Sequence, residues 1–318
     1  MTASAKPVLV IGAGVQGLTS AVVLAEQGRA VRIRTAERPG ETTSAAAGAL
    51  WGPALLRPAD KVLHWVTRSH AEFTALARDE RTGVRLVPGR MAARHPLGEA
   101  LPPEVHLIPD LRRCDREELP AGFVDGYAGT LPLIDMPGYL AYLVERFRAA
   151  GGEIVLSGVP SLADATAEAD VVVNCTGVGA RELVGDPGVQ PVWGQQVVVR
   201  NPGVQDYFIE LSRGGEFVSW MPHADRLVLG GIAVDGEWSR APRPDVGAAI
   251  LHRCAEVEPR LADVEVSGDV VGLRPGRERV RVEAEEFNGA RVVHDYGHGG
   301  SGVALSWGCA FEVAELIG

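Results

Sequence analysis

The first 35 residues follow two hydrophobic patterns in turn. Residues 8–11 form a continuous apolar run, which is typical of a strand buried on both faces of a sheet. Residues 18–26 have helical spacing that Gly28 ends, and residues 31–35 alternate apolar with basic side chains, as a second strand does. This order predicts a strand–helix–strand unit at the start of the chain.

The same two patterns recur to the end of the chain. Helical spacing recurs at residues 61–78, 137–150, 243–256 and 303–317. Strand patterns recur at residues 154–156, 170–177, 195–199, 216–221, 227–232, 271–275 and 292–294. We therefore predict an α/β fold with two discontinuous domains. A Rossmann-type dinucleotide-binding domain is expected from residues 1–58, 136–190 and 268–318, and an antiparallel-sheet substrate-binding domain from residues 59–135 and 191–267.

Composition narrows the classes of partner. The 318 residues carry 41 acidic against 31 basic side chains, a net charge of −10, which argues against a nucleic acid or an anionic membrane as partner. No apolar run approaches the ~18 residues of a membrane span. The first six residues lack the apolar core of a signal peptide, so we expect a cytoplasmic protein.

The four cysteines predict neither disulfides nor a metal site. Cys114, Cys175, Cys254 and Cys309 form no C-x-x-C pair, and none has a histidine at the spacing of metal ligands. We expect reduced, partly buried thiols and no bound metal.

The most informative motif is Gly12-x-Gly14-x-x-Gly17, which follows a predicted strand and opens a predicted helix. In this context the first glycine makes the tight turn, the second admits a pyrophosphate, and the third lets helix and strand pack closely. Glu37, about 20 residues further on, is the candidate for the ribose hydroxyls. Arg38 either faces a phosphate or adenine, or is a solvated charge.

A second glycine-rich loop, residues 294–302 (His-Asp-Tyr-Gly-His-Gly-Gly-Ser-Gly), enters the last predicted helix. Such loops and helix N-termini favour bound anions. Arg274 ends an apolar strand, where it suits bidentate recognition of a carboxylate; an ion pair with a protein carboxylate is the alternative. His298 is either a proton donor, a cofactor contact or a structural residue.

Together these segments resemble the D-amino-acid oxidase family of FAD-dependent enzymes. The matching segments occur in the family's order over nearly the whole chain, at residues 8–18, 46–48, 173–177, 272–275, 294–302 and 306–310. The resemblance implies a Rossmann-type FAD-binding domain with an antiparallel-sheet substrate domain. It also implies oxidation of a D-amino acid to the imino acid, which water hydrolyses to a 2-oxo acid and ammonia, while oxygen reoxidises the flavin to give hydrogen peroxide. Since the sequence offers no obvious strong base, we hypothesise direct hydride transfer from Cα to flavin N5.

The resemblance also implies roles for individual residues. Arg274 matches the arginine that binds the substrate carboxylate, Gly300 the glycine whose carbonyl takes the amino group, and Leu50 a residue near the flavin ring. With no gap, Ser219 replaces the usual active-site tyrosine; after a small shift, Trp220 or Phe217 would do so. The implied FAD contacts are Gly12, Ala13, Gly14, Val15, Gln16, Gly17, Glu37, Arg38, Thr42, Thr43, Ser44, Ala47, Gly48, Val159, Cys175, Thr176, Gly177, Arg274, Gly299, Gly300, Ser301, Gly302, Val303 and Ala304.

Several alternatives stay open at this point. Arg213 lies about where D-aspartate oxidases have a second arginine, so a dicarboxylic substrate is one alternative, and a glycine or sarcosine oxidase is another. A Gly-x-Gly-x-x-Gly motif alone also allows an NAD-dependent dehydrogenase. A non-catalytic flavin-binding protein is a further hypothesis, and a homodimer is left open.

Overall fold

The computed structural model describes residues 6–318. The first five residues of the predicted cofactor domain, on which the expectation about a signal peptide rests, lie outside the described residues. Within residues 6–318 the chain forms two sheets, of six and nine strands. The strands are β1 Val8–Ile11, β2 Val31–Thr35, β3 Val84–Ala93, β4 Arg112–Arg113, β5 Asp125–Ile134, β6 Glu153–Leu156, β7 Val171–Asn174, β8 Gln190–Arg200, β9 Tyr207–Glu210, β10 Glu216–Pro222, β11 Arg226–Ile232, β12 Val234–Asp235, β13 Val266–Gly276, β14 Arg281–Phe287 and β15 Ala290–Tyr296. The helices are α1 Val15–Glu26, α2 Ala59–Leu76, α3 Met136–Ala149, α4 Leu162–Glu168, α5 Ala180–Leu183, α6 Pro244–Val257 and α7 Gly302–Ile317.

The first sheet, which we call the parallel sheet, has the strand order β14-β15-β7-β1-β2-β6. All its pairs are parallel except β14 with β15. Every residue of β1 is buried, as its continuous apolar run predicts for a central strand. The carboxyl ends of β1 and β7 lie side by side, with Ile11 paired to Asn174, and these ends form the crevice where doubly wound sheets bind ligands.

The second sheet, which we call the antiparallel sheet, follows the order β12-β8-β11-β10-β9-β3-β5-β4, and β13 adds a further pairing to β8. Its pairs are antiparallel except β3 with β9. Helix α6 covers one face, where Ile250 and Cys254 are fully buried among the apolar side chains of the sheet. The opposite face is left to line a cavity.

Two of the predicted domain boundaries differ from the sheets. Residues 268–276 were expected in the cofactor domain, but they lie in β13, which pairs with β8 along the antiparallel sheet. Helix α2 was expected in the substrate domain, but it packs on α7. A Cβ on Gly308 would lie 2.2 Å from the Trp65 carbonyl oxygen, and the Gly308 amide donates to Ser69 Oγ at 2.9 Å. These contacts join segments about 240 residues apart, which local patterns do not reveal.

Among residues 6–318, no helix combines the length and the apolar character that crossing a membrane requires.

Candidate active site

A cavity of about 1440 Å³ lies between the two sheets and is lined by residues of both. One part of its wall comes from the carboxyl ends of β1, β2 and β7 and from the loop before α7. The other comes from the open face of the antiparallel sheet and from the loop 97–111. The cavity is therefore large enough for a dinucleotide and a small substrate together.

The turn from β1 to α1 is built so that only glycine fits. Gly12 has φ 104°, and a Cβ there would lie 2.6 Å from the Cys175 carbonyl oxygen. A Cβ on Gly17 would lie 1.9 Å from the Gly12 carbonyl oxygen. Gly14 faces the cavity beside Ser44, whose hydroxyl accepts a 2.9 Å hydrogen bond from the Val15 amide. The backbone thus brings the N-terminus of α1 to the cavity wall.

The N-terminus of α7 reaches the same part of the cavity. Gln16 Nε2 donates to the Gly302 carbonyl at 3.0 Å and so ties the first turns of α1 and α7 together. Gln16 Oε1 is buried and has no hydrogen-bond partner among the described residues. Two helix N-termini in one glycine-lined recess suit a bound pyrophosphate. The unpartnered amide oxygen of Gln16 suits a hydrogen-bond donor on the edge of a cofactor ring. These residues fit the predicted FAD.

The adenosine end of the predicted site is set by the residues that follow β2. Glu37 lines the cavity, where its carboxylate accepts hydrogen bonds from Arg240. Arg38 is exposed, does not line the cavity, and lies 3.5 Å from Glu41. Of its two interpretations, the solvated charge agrees with this placement.

The loop after β2 lies against strands β8, β10 and β13 of the antiparallel sheet. The Thr43 hydroxyl contacts both the amide and the carbonyl of Leu273, each at 3.3 Å. A Cβ on Gly48 would lie 3.0 Å from Gln196 Nε2 and 3.3 Å from Met221 Cγ. The small residues of this loop therefore let the two sheets approach each other around the cavity.

A polar chain supports the crevice at the end of β7. The Thr176 hydroxyl, which lines the cavity, donates to Asn174 Oδ1 at 2.7 Å. Asn174 Nδ2 lies 3.2 Å from His294 Nδ1, and His294 Nε2 lies 3.0 Å from Glu285. Since the amide donates to Nδ1, the proton of the neutral ring is on Nε2. Burial lowers the pKa of His294, which keeps the ring neutral.

Arg274 reaches into the cavity from β13 without a protein counter-ion. Its guanidinium donates to the carbonyl oxygens of Ile232 at 3.1 Å and Trp193 at 3.5 Å, and no carboxylate within residues 6–318 forms an ion pair with it. The absence of a side chain on Gly194 leaves room for the guanidinium, because a Cβ there would lie 2.3 Å from Arg274 Nη1. Burial lowers the pKa of Arg274 from its ordinary value, since no anion compensates for the lost water. The alternative interpretation, an ion pair between Arg274 and a protein carboxylate, therefore does not agree with the structure.

Strand alternation decides which residues of β10 face the cavity. Phe217, Ser219 and Met221 line it. Trp220 points the other way, is 3% exposed, stacks on Phe208 at 4.5 Å and donates from Nε1 to the Asp206 carbonyl at 3.1 Å. Trp220 is therefore a core residue of the antiparallel sheet, and the assignment of Trp220 to the active site is corrected.

Sequence reasoning missed Gln196. Its side chain lines the cavity from β8, two residues beyond Gly194 on the same face of the strand, and its Oε1 is buried without a partner among the described residues. Gly230 lies between Gln196 and Ser219; a Cβ there would lie 2.7 Å from Ser219 Oγ and 3.7 Å from Gln196 Nε2. A lone glutamine in an apolar strand carries no motif, so only its strand parity could have suggested this role.

A buried cluster lies behind the second glycine-rich loop. His298 Nε2 is 3.2 Å from Asp295 and 3.5 Å from Cys309 Sγ, and Asp295 also faces Cys175 Sγ at 3.7 Å. The sequence spacing gave no cysteine–histidine pair, yet Cys309 and His298 meet in space because the loop folds back onto α7. All four cysteines are free thiols, and burial raises the pKa of Cys175 and Cys309 well above the ordinary value.

Most of the residues expected from the sequence lie together on the cavity wall. They are Gly12, Ala13, Gly14, Val15, Gln16, Glu37, Thr42, Thr43, Ser44, Ala47, Gly48, Leu50, Val159, Cys175, Thr176, Gly177, Ser219, Arg274, Gly299, Gly300, Ser301, Gly302, Val303 and Ala304. Three do not line it. Arg38 is exposed, Trp220 packs in the core, and Gly17 supports the turn from behind, which agrees with its predicted packing role.

Comparison with known proteins gives one consistent result. Residues 7–316 match the family model described as FAD dependent oxidoreductase. A D-amino-acid oxidase of Rubrobacter xylanophilus is 47% identical over 98% of this chain and 95% of the relative, and one of Streptomyces coelicolor is 46% identical over 97% and 96%. The fold is similar to that of glycine oxidase from Bacillus cereus, with a TM-score of 0.78 and 20% identity over 98% of this chain and 94% of that one.

The match covers both sheets and every segment of the cavity wall described above, and the cofactor named in the family description fits the glycine-lined recess. An NAD-dependent dehydrogenase is thereby set aside. The chain belongs to the family of FAD-dependent oxidoreductases that includes the D-amino-acid oxidases.

Proposed function

We propose that this protein catalyses the FAD-dependent oxidation of D-amino acids to imino acids, with oxygen reduced to hydrogen peroxide. Water then hydrolyses the imino acids to 2-oxo acids and ammonia. The observation that carries the proposal is Arg274, a largely desolvated guanidinium that has no counter-ion among residues 6–318 and that lies between the cofactor recess and a mostly apolar pocket wall. A cation in this position needs an anion from outside the protein, and the carboxylate of an amino acid supplies one in bidentate geometry. The relatives named D-amino-acid oxidase support the same activity.

When bound, FAD would supply the redox chemistry, a two-electron oxidation of the substrate with molecular oxygen as the final acceptor. The protein's residues supply position. Arg274 binds the substrate carboxylate, and the Gly300 carbonyl, whose Cα is close to the Arg274 side chain, accepts from the amino group. A Cβ on Gly300 would lie 3.6 Å from Arg274 Cδ. The two contacts and the flavin plane fix three points about the chiral carbon, so one enantiomer alone directs its Cα–H correctly.

The groups near Arg274 supply little general-base chemistry. The titratable side chains on the cavity wall before α7 are Asp295, Tyr296 and His298. His298 Nε2 faces Asp295 and Cys309 in the interior, and the Tyr296 hydroxyl donates to Asp186 at 2.9 Å. Hydride transfer needs no strong base at Cα, which agrees with this arrangement. The N-terminus of α7 lies at the same wall, where its dipole would favour negative charge on a bound cofactor.

We further propose that the substrate side chain is apolar. The wall of the antiparallel sheet and its loops is lined by apolar groups, among them Met91, Ile209, Phe217 and Met221. The other arginines on the cavity wall are Arg34 and Arg240, which pair with Glu168 and Glu37. Arg213 is exposed and does not line the cavity, so a second carboxylate would lie in this pocket without a cation.

The test is a peroxide assay on the purified holoenzyme with matched substrates. D-Leucine, D-asparagine and D-aspartate have similar shapes but differ in polarity and charge, and L-leucine differs from D-leucine in configuration alone. We expect peroxide from D-leucine, none from L-leucine, and kcat/KM at least ~10-fold lower for D-aspartate than for D-leucine, since its second carboxylate loses hydration.

Peroxide from none of the D-amino acids would contradict oxidase activity and leave a flavin-binding protein without catalysis. If glycine or sarcosine gives the highest kcat/KM, the substrate class is a small amine and not a D-amino acid. If D-aspartate exceeds D-leucine, the oxidase activity stands and the apolar-pocket proposal fails.

A further inference from the structure

The segment 236–243, which joins β12 to α6, reaches across the cavity to the cofactor side. Arg240 in this segment contacts the Glu37 carboxylate with both terminal nitrogens of its guanidinium, with Nη2 3.3 Å from Oε2. Glu37 follows β2 of the parallel sheet, while Arg240 belongs to the antiparallel half. Both residues line the cavity, and their side chains are 36% and 48% exposed. The contact therefore bridges the two halves at the adenosine end.

Internal hydrogen bonds hold this segment in shape. The Ser239 amide donates to Glu237 Oε1 at 2.8 Å, and the Ala241 amide donates to the Ser239 hydroxyl at 3.2 Å. At the end of the segment, Arg243 exchanges two hydrogen bonds with the Gln195 side chain, of 2.8 and 2.9 Å. Arg240 thus extends from a loop whose backbone is held by hydrogen bonds, so less backbone freedom is lost when its guanidinium pairs with Glu37.

Glu37 is the residue expected to hold the ribose hydroxyls, because it directly follows the second strand of a Rossmann unit. A carboxylate has about four acceptor positions, and the two N–H groups of Arg240 leave the others open for hydroxyl donors. We propose that Arg240 is a positioning residue for FAD: it fixes the Glu37 carboxylate in the orientation that binds the ribose, and so makes cofactor affinity depend on a loop of the substrate half.

The pair is too exposed to matter much for folding. Exposed ion pairs contribute little to stability and are screened by salt, so a role in cofactor affinity is separable from a role in the fold. Arg200 offers a matched control, because it forms an exposed pair with Glu265 at 3.7 Å and does not line the cavity.

The test measures binding to the apoprotein, not turnover. FAD and ADP are titrated into wild-type, Arg240→Ala, Arg240→Lys and Arg200→Ala proteins at low salt. ADP carries the adenosine end of FAD but lacks the isoalloxazine. We expect Arg240→Ala to raise the Kd of FAD and of ADP by the same factor, about three- to tenfold. Arg240→Lys should recover part of the loss, and Arg200→Ala should change neither Kd.

Two further measurements separate positioning from structure. The melting temperature of apo Arg240→Ala should equal that of the wild type, and its loss of affinity should shrink in 0.5 M NaCl, because salt screens the pair. In a Glu37→Gln background, Arg240→Ala should cost much less affinity, since the partner it orients is gone.

An unchanged Kd for FAD in Arg240→Ala would overturn the proposal. So would a loss for FAD without one for ADP, because the effect would then belong to the flavin end. A lower apo melting temperature with an undiminished loss in the Glu37→Gln background would assign Arg240 a structural role instead.

Discussion

The turn after β1 and the open face of the antiparallel sheet meet at one cavity, yet they recognise ligands by different means. The turn uses backbone: Gly12 and Gly17 pack so closely that a Cβ on Gly17 would lie 1.9 Å from the Gly12 carbonyl. The sheet face uses side chains from separate strands, with Gln196, Ser219 and Arg274 brought together across three strands. The glycine turn is therefore built from residues close in sequence, whereas the sheet face is assembled from residues far apart.

The most severe test of the backbone side of this comparison is Gly17→Ala. The added methyl group must displace backbone atoms, and we expect the free energy of unfolding to fall by about 3 kcal/mol or more, with loss of bound flavin. Gly40→Ala is the control, since a Cβ there meets no atom within 4 Å. Denaturant titration and the flavin-to-protein absorbance ratio measure both effects. A Gly17→Ala protein with full flavin content would show that the turn does not need its close packing.

On the side-chain face, Arg274→Ala should have the largest kinetic effect. It removes a charge-assisted bidentate contact from a partly dry site. We expect transition-state stabilisation to fall by at least ~3 kcal/mol, so that kcat/KM falls at least about 150-fold. The flavin content should not change, because Arg274 is bonded to carbonyls of the antiparallel half. Arg274→Lys should restore only part of the activity, since it keeps the charge but loses the planar fork. Turnover close to that of the wild type would rule out Arg274 as the carboxylate anchor.

These two tests concern residues that differ in how much of their role could be predicted from the sequence. The strand, the tight turn and the helix around Gly12 and Gly17 follow from neighbouring residues, and each was predicted within a few positions. Arg274 was found as a strand-end arginine, but whether a protein carboxylate neutralises it depends on residues far away in sequence. That question was settled by burial and by the carbonyl partners.

What the sequence could not predict depends on pairing between distant strands. The choice between Ser219 and Trp220 depends on which face of β10 meets the cavity, and a shift of one residue reverses it. Gln196 was missed for the same reason. The placement of α2 on α7 depends on Gly308, a residue that has no distinctive local pattern yet admits the Trp65 backbone.

Acid should weaken both halves through buried neutral histidines. Burial lowers the pKa of His223, at the end of β10, to about 4, and it lowers the pKa of His294 in β15. The unfolded chain, with a histidine pKa near 6.5, binds more protons than the folded one below that pH. The stabilisation is therefore complete above about pH 6.5 and declines as pH falls towards 4.

We expect the free energy of unfolding to decrease between pH 7.5 and 5.0, with each histidine contributing at most about 1.4 kcal/mol per pH unit. His223→Gln should remove part of this slope, whereas His252→Gln, at an exposed position of α6, should leave it unchanged. Urea titrations at several pH values measure the slope. If His223→Gln leaves the slope intact, the acid sensitivity has another origin.

The smallest predicted effect tests the parity of β10. The Ser219 hydroxyl lines the cavity and makes no hydrogen bond within residues 6–318, so it is free to donate to the substrate carboxylate. Ser219→Ala should cost about 1 kcal/mol of transition-state stabilisation, which lowers kcat/KM about fivefold, while the free energy of unfolding stays nearly constant. Trp220→Phe, one residue away on the other face, is the matched control. It should leave kcat/KM unchanged and lower stability, because it loses the bond to the Asp206 carbonyl. If instead Trp220→Phe changes kcat/KM and Ser219→Ala does not, the substrate contacts the opposite face of β10. The contrast between a cofactor recess formed by backbone and a substrate pocket formed by side chains would then not hold at this strand.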